Sequence, residues 1–114
     1  MNDGQRFDAD TTLLSVRGQV RDLLSIENTL LNMLSQLFGV ATLTATWVDA
    51  CADSPARIRD TRKTIPRLRL LQKYAVRCGG GENHRLGLSD AALINDNHSI
   101  AAGSVAQAFQ SVRA

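Results

Sequence analysis

Hydrophobic and polar residues change period several times along the chain, and each change predicts an element. From Thr12, the apolar positions Leu14, Val16, Gly18 and Val20 alternate with Ser15, Arg17, Gln19 and Arg21, the period of a half-buried strand. Ser25 then offers a hydroxyl N-cap, with Asn28 at the capping-box position, for a long helix to about Ala50. Its residues Leu30, Leu34, Leu37, Phe38, Ala41, Ala45 and Val48 recur at spacings of three and four, which is one face of a helix. Gly39 inside that helix costs about 1 kcal/mol relative to alanine and so predicts a close approach to another backbone. After Ser54-Pro55, Ala56 to Asp60 reads as a short strand centred on Ile58, with a loop from Thr61 to Thr64. Thr64 as N-cap and Pro66 in the first turn open a second helix. Its buried stripe is Leu68, Leu71 and Ala75, its flanks Arg67, Arg69, Lys73 and Arg77, and its stop Gly79-Gly80-Gly81. Ala91 to Ile94 reads as a buried strand and Asn95-Asp96-Asn97-His98 as a polar turn. Ser104 caps a last helix with Val105, Ala108, Phe109 and Val112 on one face.

The order is strand, helix, strand, helix, strand, helix, and its last four elements form a βαβα series. Helices that cross over between parallel strands require a parallel sheet or a barrel, so the fold class is α/β. In both architectures the chemistry gathers at the carboxyl ends of the strands. That position belongs to Thr61-Arg62-Lys63 and to Asn95-Asp96-Asn97-His98. Residues 1–11 are polar and acidic and are expected to be disordered.

Composition sharpens this picture. The chain has 114 residues, 44% of them hydrophobic, which is material for one domain. Asn28 to Val48 is a run of 21 residues without a charge, long enough to span a bilayer. Eight of the 21 are polar and the large apolar residues keep to one face, so the segment is expected to face a core and not a membrane. Met1 to Asp10 lacks the basic start and apolar middle of a signal peptide, and Cys51 and Cys78 form neither a CxxC pair nor a disulfide framework. A cytoplasmic protein with reduced thiols is the expectation.

Charge is uneven. The net charge is +2, yet Arg57 to Arg85 holds nine basic residues against Asp60 and Glu82. Such an excess either faces something anionic or lies on a solvated helix face. Arg62 and Lys63 leaving a strand end suit a carboxylate or phosphate, the alternative being a solvated basic turn. Gly79 to Arg85 could wrap an anion with backbone N–H groups and add His84 and Arg85 as donors, although it lacks the ending of a P-loop. His84 and His98, with Asp90 and Asp96 between them, are more ordinary as loop-holding residues than as metal ligands. The basic run contains a single aromatic and falls across a strand, a loop and a buried helix, so nucleic acid is not an expected partner.

Five blocks carry a resemblance. Ser35-Gln36-Leu37-Phe38-Gly39-Val40-Ala41-Thr42, Ile58-Arg59-Asp60-Thr61-Arg62-Lys63-Thr64 and Leu70-Leu71-Gln72-Lys73-Tyr74-Ala75-Val76-Arg77 are three of them. The others are Gly79-Gly80-Gly81-Glu82-Asn83-His84-Arg85-Leu86-Gly87-Leu88-Ser89-Asp90 and Ile94-Asn95-Asp96-Asn97-His98. In order, they closely resemble blocks of the quinolinate phosphoribosyltransferase family, also called carboxylating nicotinate-nucleotide pyrophosphorylases. The likeness runs from about Leu14 to the C-terminus.

The resemblance implies transfer of a phosphoribosyl group from phosphoribosyl pyrophosphate, with Mg²⁺, to the ring nitrogen of quinolinate in NAD synthesis. One carboxylate leaves as CO₂, and the other products are nicotinate mononucleotide and pyrophosphate. By resemblance Arg62, His84 and Arg85 bind the pyridine dicarboxylate, and Thr61 and Lys63 help hold the substrates. No catalytic residue and no metal ligand is assigned. Both substrates are polyanions, which gives the basic stretch a purpose. The implied fold is a small α/β domain joined to a TIM-like barrel, working as a dimer with a shared site. Residues 12–55 then supply a strand and long helix from the N-terminal-domain side, and residues 56–114 the first two βα units of an incomplete TIM-like barrel.

Three departures follow from the same comparison. The arginine of the family's Glu-Arg-Thr is here Asn28, and the lysine of its Ile-Lys-Asp-Asn-His run is here Asn95. Losing a charge-assisted partner costs about 1.5 to 3 kcal/mol each. A complete barrel takes roughly 250 residues, so two βα units leave open strand edges, and the family's acidic metal-associated residues fall outside this chain. Two readings result: a piece of a quinolinate phosphoribosyltransferase, or a truncated, inactive remnant that at most associates with an intact homologue.

Overall fold

The computed structural model describes residues 2–113. These form four helices, α1 (Val20–Ala50), α2 (Arg69–Cys78), α3 (Asp96–Ala102) and α4 (Val105–Arg113). They divide into two units, one ending at His84 and one beginning at Arg85. In the first unit α1 packs on α2, and in the second α3 packs on α4.

α1 starts earlier than the sequence suggests. Gln19, in extended backbone (φ −67°, ψ 137°), precedes it without a side-chain cap, and Asp22 in the first turn complements the helix dipole. Ser25 is not the cap: it lies inside the helix, where its hydroxyl donates to the Arg21 carbonyl at 2.8 Å. The face expected to pack does so, with Leu30, Leu34, Leu37, Ala41, Ala45 and Val48 half-buried around the buried Thr44. Phe38 meets Phe7 edge-on, with ring centroids 5.9 Å apart, and Arg6 holds both carboxylate oxygens of Asp49 at 2.7 Å. The alternation from Leu14 to Val20 does not make a strand; no ladder pairs this segment, and Val20 is already helical. Period-two patterning yields a strand only where a neighbour takes up its N–H and C=O groups.

The strand expected at Ala56 to Asp60 is reduced to one parallel bridge, Arg59 to Glu82. Glu82 N–H donates to Ile58 O at 2.9 Å and Asp60 N–H donates to Glu82 O at 3.2 Å. Ala91 to Ile94 forms no strand, so the return of the β–α–β crossing lies at Gly81 to Asn83, ten residues before the expected place. Among the described residues, then, the α/β expectation is met by helices and a single bridge, because each bridged segment has one neighbour where a barrel strand has two.

α2 is also shifted. It begins at Arg69 after Leu68, and Pro66 lies in the preceding turn with Arg67 at φ +67°. Thr64 is not its N-cap; the Thr64 hydroxyl accepts from Arg69 Nε at 3.2 Å. The helix is buried on two sides instead of along one stripe. Ala75 and Gly79 meet α1, whereas Lys73 and Val76 face the bridged segments. Leu71, expected in the stripe, is exposed.

Gly79-Gly80-Gly81 closes α2 with a Schellman turn: Gly81 N–H bonds Val76 O, and Gly80, at φ +83°, bonds Arg77 O. A Cβ on Gly79 would lie 2.4 Å from Ala41 O and 2.7 Å from Thr44 Cβ. The close approach anticipated at Gly39 is therefore at Gly79; nothing described comes within 4 Å of a Cβ at Gly39.

In the second unit, Asn95 to His98 is not a turn after a strand but the start of α3. Asn95 Oδ1 accepts His98 N–H at 3.2 Å and His98 Nδ1 accepts Asn95 N–H at 3.1 Å, a reciprocal capping box. Ser104 caps α4 as expected, accepting Gln107 N–H at 3.2 Å. Of the face predicted for α4, Ala108 is buried, while Val105, Phe109 and Val112 stay exposed because the seven-residue α3 covers little of it. No helix among the described residues is long and apolar enough to cross a membrane.

Candidate anion-binding site

Thr61-Arg62-Lys63 leaves the carboxyl end of one bridged segment, and His84 leaves the carboxyl end of the other. The parallel contact therefore brings these two turns to one end of the crossing, where α/β proteins place their ligands. Asn95 to His98, expected to share that role, is absorbed by the α3 cap.

A buried ion pair joins the two turns. Lys73 Nζ lies 2.5 Å from Asp60 Oδ1, and the two side chains are only 4% and 6% exposed. Lys73 Nζ also donates to His84 O at 2.9 Å, and His84 N–H donates to Asp60 Oδ1 at 2.9 Å. With its amide nitrogen turned toward them, Asn83 donates to Lys73 O and Asp60 Oδ2, each at 2.9 Å. A buried charge with an opposite partner and filled hydrogen-bond sites escapes most of the desolvation cost of a lone one. Lys73, read from sequence as a flanking cation, is thus internal. The signal that would have found it is the two-sided burial demanded of a crossover helix.

The turn that carries the candidates is held locally. Lys63 N–H donates to Thr61 Oγ1 at 3.1 Å and Thr64 N–H to Arg62 O at 3.0 Å. Arg62 Nε is buried and has no hydrogen-bond partner among the described residues. Three other cations of the basic stretch are engaged with carboxylates. Arg59 grips Glu82 at 2.9 and 3.0 Å, Arg57 approaches the same carboxylate at 3.8 Å, and Lys73 holds Asp60. Arg85, in the second unit, donates to Ala91 O at 2.8 Å, where Asp90 Oδ2 also accepts the Leu86 and Gly87 N–H groups.

The glycine run does not wrap an anion with its backbone. The N–H groups of Gly79, Gly80, Gly81 and Glu82 bond the carbonyls of Ala75, Arg77, Val76 and Ile58. Asn28, where the family pattern has arginine, is exposed on α1. Among the described residues no three His, Cys, Asp or Glu side chains form a group able to hold a metal ion. Asp60 is itself taken up by Lys73, Asn83 and His84, so these residues do not fit Mg²⁺.

Comparison with known proteins places this geometry. Residues 1–38 match the family model "Quinolinate phosphoribosyl transferase, N-terminal domain", and residues 40–114 match the corresponding C-terminal domain. The nicotinate-nucleotide pyrophosphorylase (carboxylating) of Mycobacterium leprae is 55% identical over 114 residues, covering 100% of this chain and 40% of that protein. A probable nicotinate-nucleotide pyrophosphorylase (carboxylating) of Synechocystis is 49% identical over 97% of this chain and 38% of its own length. The crystal structure of NadC from Streptococcus pyogenes superposes with a TM-score of 0.88 at 48% identity, over 99% of this chain and 40% of that one. The chain thus spans about 40% of the length of relatives it matches nearly end to end. On these matches the chain belongs to the quinolinate phosphoribosyltransferase family.

Proposed function

We propose that this chain carries the quinolinate-binding turns of a carboxylating nicotinate-nucleotide pyrophosphorylase. Quinolinate and phosphoribosyl pyrophosphate are then the substrates of the whole enzyme, and nicotinate mononucleotide, pyrophosphate and CO₂ its products, in NAD synthesis. The observation that carries the reading is Arg62 Nε, a buried donor without a partner among the described residues, at the carboxyl end of a parallel segment. A guanidinium in that position gains most from a carboxylate, which it can grip with two parallel N–H bonds. His84 supplies a second group on the neighbouring turn. Ile58 to Asp60 and Gly81 to Asn83 are read as adjacent strands of a TIM-like barrel, which supports placing the substrate beyond their carboxyl ends.

A segment exchange tests this. In the Mycobacterium leprae enzyme, the stretch aligned with this chain is replaced by it. The chimera is expected to convert quinolinate, phosphoribosyl pyrophosphate and Mg²⁺ to nicotinate mononucleotide. Asn28→Arg and Asn95→Lys in the chimera should each lower the quinolinate KM by roughly tenfold or more, from the 1.5 to 3 kcal/mol of a charge-assisted contact. A folded chimera that forms no product, with or without those two changes, contradicts the proposal.

A further inference from the structure

We infer that the buried Asp60–Lys73 pair is a positioning device that sets His84 against Arg62, and not merely part of the packing. The inference rests on the quinolinate reading above. Its geometric basis is that the pair holds both backbone groups of one residue. Asp60 Oδ1 accepts the His84 N–H and Lys73 Nζ donates to the His84 carbonyl, each at 2.9 Å. A residue gripped at both N–H and C=O has its Cα, and hence the origin of its imidazole, placed by the pair.

The same carboxylate anchors the other turn. Asp60 precedes Arg62 by two residues, its own N–H bonds Glu82 O, and its second oxygen takes the Asn83 amide. One ion pair therefore determines the separation of the turn bearing Arg62 from the turn bearing His84. Packing alone does not require such a pair, because apolar residues of similar volume fill a buried site at least as stably as two charges do. Two ions at this junction are instead suited to directional control, since each supplies hydrogen bonds of defined geometry to the His84 peptide. A ligand held from both turns tolerates little error: groups displaced by about 1 Å lose much of their effect.

The test uses the full 114-residue chain and quinolinate as the probe. Asp60→Ala/Lys73→Met removes both charges together, so neither is left buried and uncompensated. Amide hydrogen exchange by NMR reports the clamp, and calorimetric titration reports binding. In the double variant, exchange at His84 N–H is expected to accelerate at least tenfold. Exchange at Gly81 and Glu82, whose N–H groups bond Val76 O and Ile58 O, should stay within threefold. Quinolinate affinity should fall at least tenfold. General loosening would instead accelerate all three amides together and would overturn the inference, as would unchanged His84 exchange or unchanged affinity in the double variant. In the unaltered chain, saturating quinolinate should slow His84 exchange at least threefold, because coupling between clamp and ligand is reciprocal; no change there also overturns it. Absence of quinolinate binding by the unaltered chain defeats the functional reading itself, and this inference with it.

Discussion

Tyr74, the chain's single tyrosine, donates its hydroxyl to Asp3 Oδ2. That hydrogen bond, with lesser contributions from lost hydration and the Asp3 charge, pushes its pKa from the ordinary 10.0 up to about 12. Because the folded value is the higher one, the contact contributes its full stability below pH 10.0 and loses it as pH rises toward about 12. A phenolate absorbance titration of the folded chain should have its midpoint near 12, and Asp3→Asn should return it toward 10.0. A wild-type midpoint at 10.0 would show that the contact does not form. Among the site residues, Arg62 and Lys63 were legible as anion-binding candidates because Thr-Arg-Lys follows a β-prone segment. Lys73 was not. The residues four positions before and after it, Arg69 and Arg77, are basic, and only a partner thirteen residues away, Asp60, makes it a core residue. His98 was legible as a residue that holds a loop, and its Nδ1 does so at the start of α3.

At the scale of elements, α1 was readable along its packed face and misread at its start. A run of apolar residues at spacings of three and four needs only a helix beneath it, whereas alternation needs a second strand to become one. The packing of α1 on α2 turns on a glycine, though not the one inside α1. Gly79→Ala would drive a Cβ to 2.4 Å from the Ala41 carbonyl oxygen, and overpacking of this kind costs about 1 to 3 kcal/mol. Gly39→Ala meets nothing within 4 Å, and replacing a mid-helix glycine should gain about 0.5 to 1 kcal/mol. Thermal unfolding followed by circular dichroism should therefore move in opposite directions for the two variants. The same sign for both would contradict the placement of the α1–α2 contact. The expected strands failed for a related reason: Ile58 to Asp60 pairs with Gly81 to Asn83 through one bridge, and a two-segment parallel contact is too little sheet to propagate.

At the scale of the molecule, Ala75 and Ala108 are the buried apolar residues among the described residues, and no large side chain among them is fully buried. Leu24, Leu31, Leu43, Trp47 and Phe109 are exposed. Phe109 lies on the α4 face that sequence periodicity marks as apolar, whereas Leu24, Leu31, Leu43 and Trp47 lie outside the face so marked on α1, and the relatives are about two and a half times as long. The proposed quinolinate site rests on the first unit, where a buried ion pair ties the Arg62 turn to the His84 turn. Calorimetric titration of quinolinate into the 114-residue chain, beside Arg62→Gln, tests that claim most directly. Saturable binding of one quinolinate is predicted, weakened roughly tenfold to a hundredfold by the substitution, the equivalent of one charge-assisted contact. Binding of equal strength in both proteins, or none in either, would contradict it.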